Sequence, residues 1–354
     1  MTEVRIGMLG ASKIAPAVMI DPGLRTPGVA LSIAARDRAR AEAYAQKWKV
    51  PKVLDSYDAI IQSDVHAVYV PLHAGGHHEW AIKAAQAGKH VLVEKPFAMN
   101  TTEAQEMVDA GKKAGVLMIE AFHYYYHPLM QRVLELVRSG KFGTVEHVEA
   151  TFIGPEFPVD QPDKWATYND PKLGGSMLKH MGGYTLHFVR SIAGEPTGVK
   201  ATGKLNALGS DILIDTDFNF AGGSTGRVLM DMTGKPRPFA VDGRVVFERG
   251  ELIVHNFMVP HNDKPFAPVR TADGKYDYDG SSFAGWLEIK HPDGTTTREN
   301  FHPSDTTWWH QLQAFVNAVR NGKPLPTSGE DTINQMKLND AIMRSAGFDH
   351  LLRA

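Results

Sequence analysis

Apolar residues in the first third of the chain fall in short blocks separated by helical stretches with a polar face. Val4–Leu9, Ala30–Ala35, Val65–Val70, His90–Val93 and Val116–Ala121 are near-continuous apolar runs. Such runs suit strands buried on both faces, which is the habit of parallel sheets. Between them lie Arg38–Lys49, with Ala41, Ala45 and Trp48 on one face, and the Ala-rich His78–Ala87, closed by Gly88. Thr101–Ala114 is a third helix, capped by Thr101 or Thr102, and another is expected to open near Ser12. Strand–helix alternation predicts an α/β fold with a doubly wound parallel sheet.

From about Leu129 the rhythm changes. A helix over Leu129–Ser139 leads into a strand at Val145–Ile153, then a long loop with Pro155, Pro158, Pro162 and Pro171. A helix near Met177–Ala193 follows. Alternating runs come next, among them Ile212–Phe220, Gly226–Thr233, Arg244–Glu248, Glu251–His255, Trp286–His291 and Thr295–Asn300, with Asp293-Gly294 as a hairpin signal. They predict an α+β region with a large, open, mostly antiparallel sheet. One face of that sheet packs on helices; the other would carry Phe, Met and Val if it meets a partner subunit. Trp308–Arg320 and Asp331–Ala346 read as two final helices.

Composition narrows the class. With 38 Lys and Arg against 40 Asp and Glu the net charge is −2, which lacks the basic field a nucleic-acid or anionic-membrane binder needs. The absence of Cys excludes a disulfide scaffold, thiolate metal sites and thiol catalysis. No apolar run approaches the ~20 residues that span a bilayer, and the N-terminus shows no signal-peptide pattern. The expectation is a soluble, cytoplasmic, two-domain protein with no nucleic-acid or membrane partner.

The first strand runs into Gly10-Ala11-Ser12-Lys13-Ile14-Ala15, a Gly-x-Gly-x-x-Ala pattern with Ser12 at the second glycine. A tight turn at Gly10, a small residue beside a pyrophosphate and Ala15 for close helix packing make this a dinucleotide loop. Gly10, Ala11, Ser12, Lys13 and Ile14 are therefore cofactor candidates. The second strand ends Ala34-Ala35-Arg36-Asp37, where an NAD site usually places an acid. Arg36 suits a 2′-phosphate, so NADP is favoured over NAD; the alternative has Asp37 serving the ribose and Arg36 solvated.

His77-His78-Glu79-Trp80-Ala81, then Ala87-Gly88-Lys89-His90-Val91 and Glu94-Lys95-Pro96-Phe97, resemble the glucose–fructose oxidoreductase / inositol dehydrogenase (Gfo/Idh/MocA) family of NAD(P)-dependent oxidoreductases. So do Glu120-Ala121-Phe122, Gly174-Gly175-Ser176 and Gly329-Glu330-Asp331, with the dihydrodiol and sugar dehydrogenase branch nearest. The resemblance implies a Rossmann domain over residues 1–122 and a substrate-binding, oligomerising domain over 123–354, with the active site between them. It implies a catalytic Lys95 preceded by Glu94, and a homo-oligomer, dimer or tetramer, through the second sheet. Where relatives carry Pro-Asn beside the nicotinamide ribose, this chain has His73-Ala74; where they carry Asp-x-Gly-x-His or -Tyr, it has His180 and Tyr184.

The chemistry then reads as hydride transfer with one proton to move. Lys95, at a strand's carboxyl end, can fix the substrate oxygen. His180, Tyr184 and His187 share one face of a helix by spacing. Tyr184 is assigned the proton, with His180 as partner or substitute. His73 and His77 are placed with the cofactor. His123, Tyr125 and Trp165 offer ring faces and polar tips to a hydroxylated ring. His123-x-x-x-His127 has metal-ligand spacing, but without Cys or an adjacent carboxylate no metal is expected. The expected function is an NADP-preferring oxidoreductase of a cyclic polyol, most simply a sugar; a trans-dihydrodiol dehydrogenase and a non-catalytic NADP-binding regulator are the rivals.

Overall fold

The structure, a computed structural model, describes residues 3–160, 162–234, 240–260, 269–270, 276–277, 285–301 and 306–352. It divides into two compact units, Met1–Phe122 with Trp308–Lys337, and His123–Thr307 with Leu338–Ala354.

In the first unit six parallel strands form one sheet. They are β1 (Val4–Leu9), β2 (Val29–Ala34), β3 (Lys52–Val53), β4 (Ala67–Val70), β5 (His90–Val93) and β6 (Met118–Glu120). Their order, β3-β2-β1-β4-β5-β6, reverses direction between β1 and β4. Open α/β sheets bind ligands at the carboxyl ends of the strands beside such a switch point. Val68, Val70, Val91 and Val93 are buried with Phe97, Ala81, Ala84 and Met107, so apolar strands are covered by helix faces. The cap of Thr101–Ala114 is Asn100, which accepts from the Glu103 amide at 3.0 Å, in place of the expected Thr101 or Thr102. The helix expected near Ser12 opens instead at Pro16, because proline at its first position has no N–H to satisfy there.

The second unit is built on eight strands: β7 (Val145–Ile153), β8 (Pro196–Leu205), β9 (Asp211–Phe220), β10 (Thr225–Asp231), β11 (Ala240–Phe247), β12 (Gly250–His255), β15 (Gly285–Lys290) and β16 (Thr296–Phe301). β13 (Val269–Arg270) and β14 (Tyr276–Asp277) pair separately. All sheet neighbours are antiparallel except β7 and β10. The helix Gly183–Ala193 lies on β7, β10 and β11, where Gly243 leaves room for the Phe188 ring. The other face is mixed: Leu229, Val246, Ile253 and Trp286 alternate with the buried Val228, Val245, Leu252 and Leu287, and ion pairs lie among them. Arg227 pairs with Asp215 at 2.7 Å, Arg244 with Glu149 at 3.6 Å, and Lys290 with Glu251 at 2.5 Å. The loop expected across Pro162 contains a helix, Pro162–Asn169; proline is tolerated in a helix's first turn.

Candidate active site

The glycine loop leaves β1 at the switch point. Gly10 has φ +104°, and a Cβ there would come within 3.2 Å of both the Leu72 Cδ2 and the Tyr57 hydroxyl. Only glycine meets both demands. Arg40 donates to the Ala11 carbonyl at 3.1 Å and Tyr44 to the Ser12 carbonyl at 2.6 Å, while Ser12 Oγ accepts from the Ile14 amide at 3.3 Å. The helical stretch that follows begins with no side-chain cap and no acid in its first turn. A positive helix end without a competing carboxylate fits an anionic pyrophosphate.

At the tip of β2 the Asp37 carboxylate accepts from the Arg40 amide at 3.0 Å and caps the helix Arg38–Trp48. Arg36 beside it is exposed. Burial pushes the Tyr57 hydroxyl's pKa up, and Arg36 and Arg40 oppose that shift. Two guanidinium groups thus act on the ring beside Gly10. Arg40, Tyr44 and Tyr57 were not marked by the sequence; only their contacts to the loop identify them.

After β5 come Glu94 and Lys95, the latter joined to Pro96 by a cis peptide bond. Glu94 is buried and accepts from the Tyr69 hydroxyl at 2.8 Å. Burial raises its carboxyl pKa, and Lys95 and Tyr69 pull it back. Burial lowers the Lys95 ammonium's pKa, and the charges of Glu94 and Glu120 hold it up. Glu120, buried at the end of β6, accepts from the Phe97 amide at 3.2 Å. The lysine therefore stands at the sheet's carboxyl edge, countered by two carboxylates. His77 is buried, with one ring nitrogen 2.9 Å from the Pro96 carbonyl and the other 3.0 Å from that of Leu72. Its imidazole ties the end of β4 to the turn after Lys95, and burial pulls its pKa down to about 4. His73 lies exposed on the same β4 connection.

In the second unit, Leu178–Gly182 is a π-helical turn running into the helix Gly183–Ala193. The buried Asp211 fixes it by accepting from the Leu178 amide at 2.7 Å, and the Lys179 ammonium donates to the Leu351 carbonyl at 3.1 Å. The wider turn replaces the regular 3.6-residue spacing on which the one-face reading of His180 and Tyr184 rested. His180 packs on Tyr168, ring centroids 5.0 Å apart. Tyr168 in turn meets Phe157, on which Trp165 stacks at 4.5 Å. Tyr184 meets the turn His123–Tyr126. Its hydroxyl lies 2.9 Å from His123 Nε2, and His123 Nδ1 lies 2.8 Å from Thr307 Oγ1. Alongside, the Tyr124 hydroxyl lies 2.8 Å from His187 Nδ1, and the Tyr125 ring packs on His187. His127 accepts from the Leu129 amide at 3.2 Å, capping the next helix. Among the described residues no group of three His, Asp or Glu side chains is placed to hold a metal ion, and no helix is long and apolar enough to cross a membrane.

Residues 4–122 match the oxidoreductase family with an NAD-binding Rossmann fold, and residues 130–253 match the GFO/IDH/MocA C-terminal domain. The chain is 30% identical over 349 residues, 96% of both chains, to a D-xylose 1-dehydrogenase (NADP(+)) of Haloferax volcanii. In fold it is similar to a 3-ketoreductase from Actinomadura kijaniata crystallised with NADP and TDP-benzene (TM-score 0.77, 22% identity, 97% of this chain and 98% of that one). It is likewise similar to a levoglucosan dehydrogenase crystallised with NADH and levoglucosan (TM-score 0.82, 18% identity, 98% of each). With both domain patterns matched in order and a relative aligned from end to end, the chain belongs to the GFO/IDH/MocA oxidoreductase family.

Proposed function

We propose that this protein is a cytoplasmic, NADP-preferring oxidoreductase that interconverts a secondary alcohol and a carbonyl on a cyclic polyol, most simply a sugar. The observation that carries the reading is Lys95, half-buried at the carboxyl edge of the parallel sheet and countered by Glu94 and Glu120. A nicotinamide dinucleotide, when bound, supplies or takes the hydride. Gly10, Ala11, Ser12, Lys13 and Ile14 would hold its pyrophosphate, Arg36 its 2′-phosphate, and His73 its ribose. Glu94 opposes the fall that burial imposes on the Lys95 ammonium's pKa, and His77 positions the turn on which Lys95 sits. Lys95 fixes the reacting oxygen, because a cation stabilises the negative charge that develops there. Tyr184 moves the proton. His180, Tyr125 and the Trp165 cluster offer ring faces to a sugar.

A D-xylose 1-dehydrogenase relative aligned over 96% of the chain supports a sugar over an aromatic diol. The protein assembles as a homo-oligomer through the second sheet, on a face that mixes ion pairs with apolar side chains. The experiment is a panel of sugars, polyols and a trans-dihydrodiol with both nucleotides, followed by nicotinamide absorbance. Turnover of a sugar with NADP is expected. Tight NADPH binding without turnover on any member would favour the regulator and overturn the proposal.

A further inference from the structure

We infer that His123 stores the proton of the reaction, with Tyr184 as the conduit between it and the substrate oxygen. The inference rests on the assignment of Tyr184 above and goes beyond it by naming the group whose ionisation governs the step.

The geometry is a line of three polar groups. Thr307 Oγ1, His123 Nδ1, His123 Nε2 and the Tyr184 hydroxyl follow one another at 2.8 and 2.9 Å across the ring. His123 is 4% exposed, Tyr184 3% and Thr307 0%, so water competes little for these bonds and each contact counts for more than on the surface. A phenol alone is a poor store, since its reference pKa near 10 leaves it protonated at neutral pH. An imidazole, with a reference near 6.5, accepts and returns a proton in the working range. The Tyr124 ring meets the Tyr184 ring at 6.0 Å, and the Tyr124 hydroxyl lies 2.8 Å from Nδ1 of His187, on the helix that carries Tyr184. On the helix Pro128–Arg138, which packs on the His123 turn, Arg132 is held by Glu299 at 2.9 Å and Glu135 at 3.0 Å. Along the line itself the two groups that His123 meets are the Thr307 and Tyr184 hydroxyls.

In the oxidation direction a nicotinamide dinucleotide, when bound, would take the hydride from the substrate carbon while the oxygen's second bond to that carbon forms. The alcohol proton passes to the Tyr184 oxygen as the Tyr184 proton passes to His123 Nε2. His123 becomes an imidazolium whose Nδ1–H donates to Thr307 Oγ1. Reduction reverses each transfer: Tyr184 protonates the new alcohol oxygen and is reprotonated from His123.

The test compares pH profiles of kcat/KM for alcohol oxidation in wild type, His123→Gln and Tyr184→Phe. Wild type is expected to show an acid limb near the histidine range, because only neutral His123 can take the proton. His123→Gln is expected to lose roughly 10- to 100-fold near neutral pH, with activity recovering as pH approaches the phenol range near 10. A profile of unchanged shape in His123→Gln, whatever its height, overturns the inference. If that variant does not fold, as judged by NADPH binding, Thr307→Val replaces it and is expected to displace the acid limb; no displacement overturns the inference. Histidine proton resonances of the cofactor-free protein give a second readout. One titration midpoint should vanish in His123→Gln and move in Tyr184→Phe, and a midpoint unmoved by Tyr184→Phe counts against the line. Full activity in Tyr184→Phe would instead refute the underlying assignment of Tyr184.

Discussion

The Asp37 carboxylate accepts the Arg40 amide at 3.0 Å, so the acid at the tip of β2 serves its own helix. Arg36, one residue earlier, is exposed, and in the proposed function it meets the 2′-phosphate of NADP. Arg36→Ala should weaken NADP binding by about tenfold or more, the worth of a charge-assisted hydrogen bond of roughly 1.5–3 kcal/mol. NAD binding should change little. Asp37→Ala should cost stability of about 1 kcal/mol through the lost cap and leave the NADP-to-NAD ratio unaltered. Titration of both nucleotides into both variants checks this, and equal losses with Arg36→Ala would contradict it.

His77 gives a pH signature of stability. Its ring is buried between two carbonyls, with a folded pKa of about 4 against an ordinary value of 6.5. The unfolded chain therefore binds the extra proton first as pH falls. The stability tied to neutral His77 is complete above about pH 6.5 and is lost as pH drops toward 4, by on the order of 3 kcal/mol. Urea midpoints from neutral pH downward should fall more steeply for wild type than for His77→Gln. Parallel curves would show that this imidazole is not the linked group.

Much of the fold was written in the chain. The strands near Val4, Val29, Ala67 and His90 are apolar because helices cover both of their faces, and that pattern survives in one dimension. Local chemistry was less legible. Asn100 outcompeted two threonines for one cap, and Pro162 begins a helix where prolines suggested only a loop. Lys95 and Gly10 were visible because the first sits in a dense motif and the second needs a special φ. The Thr307 contact to His123 was invisible, since 184 residues separate the two. The π-helical turn before Tyr184 also escaped, because spacing arguments assume a regular helix.

The ion pairs on the outer face of the second sheet make a prediction about assembly. Arg227, Asp215, Arg244, Glu149, Lys290 and Glu251 form cross-strand pairs on the face that also carries Leu229, Val246 and Ile253. A subunit contact on such a face should weaken with ionic strength, because exposed charges are screened over about 8 Å at physiological salt and over about 3 Å at 1 M. Sedimentation at low and at molar salt should show the oligomer dissociating as salt rises. An oligomer equally tight at both would place the contact elsewhere or on apolar groups.

The account as a whole depends on Lys95 acting upon substrate while the dinucleotide is held by other residues. The most direct measurement is Lys95→Ala, with NADPH affinity and turnover of the best sugar taken on the same preparation. Affinity should stay within a few-fold of wild type, and kcat should fall by roughly 10²–10³-fold, the usual cost of removing one group that stabilises developing negative charge. Near-normal turnover in that variant would contradict the account.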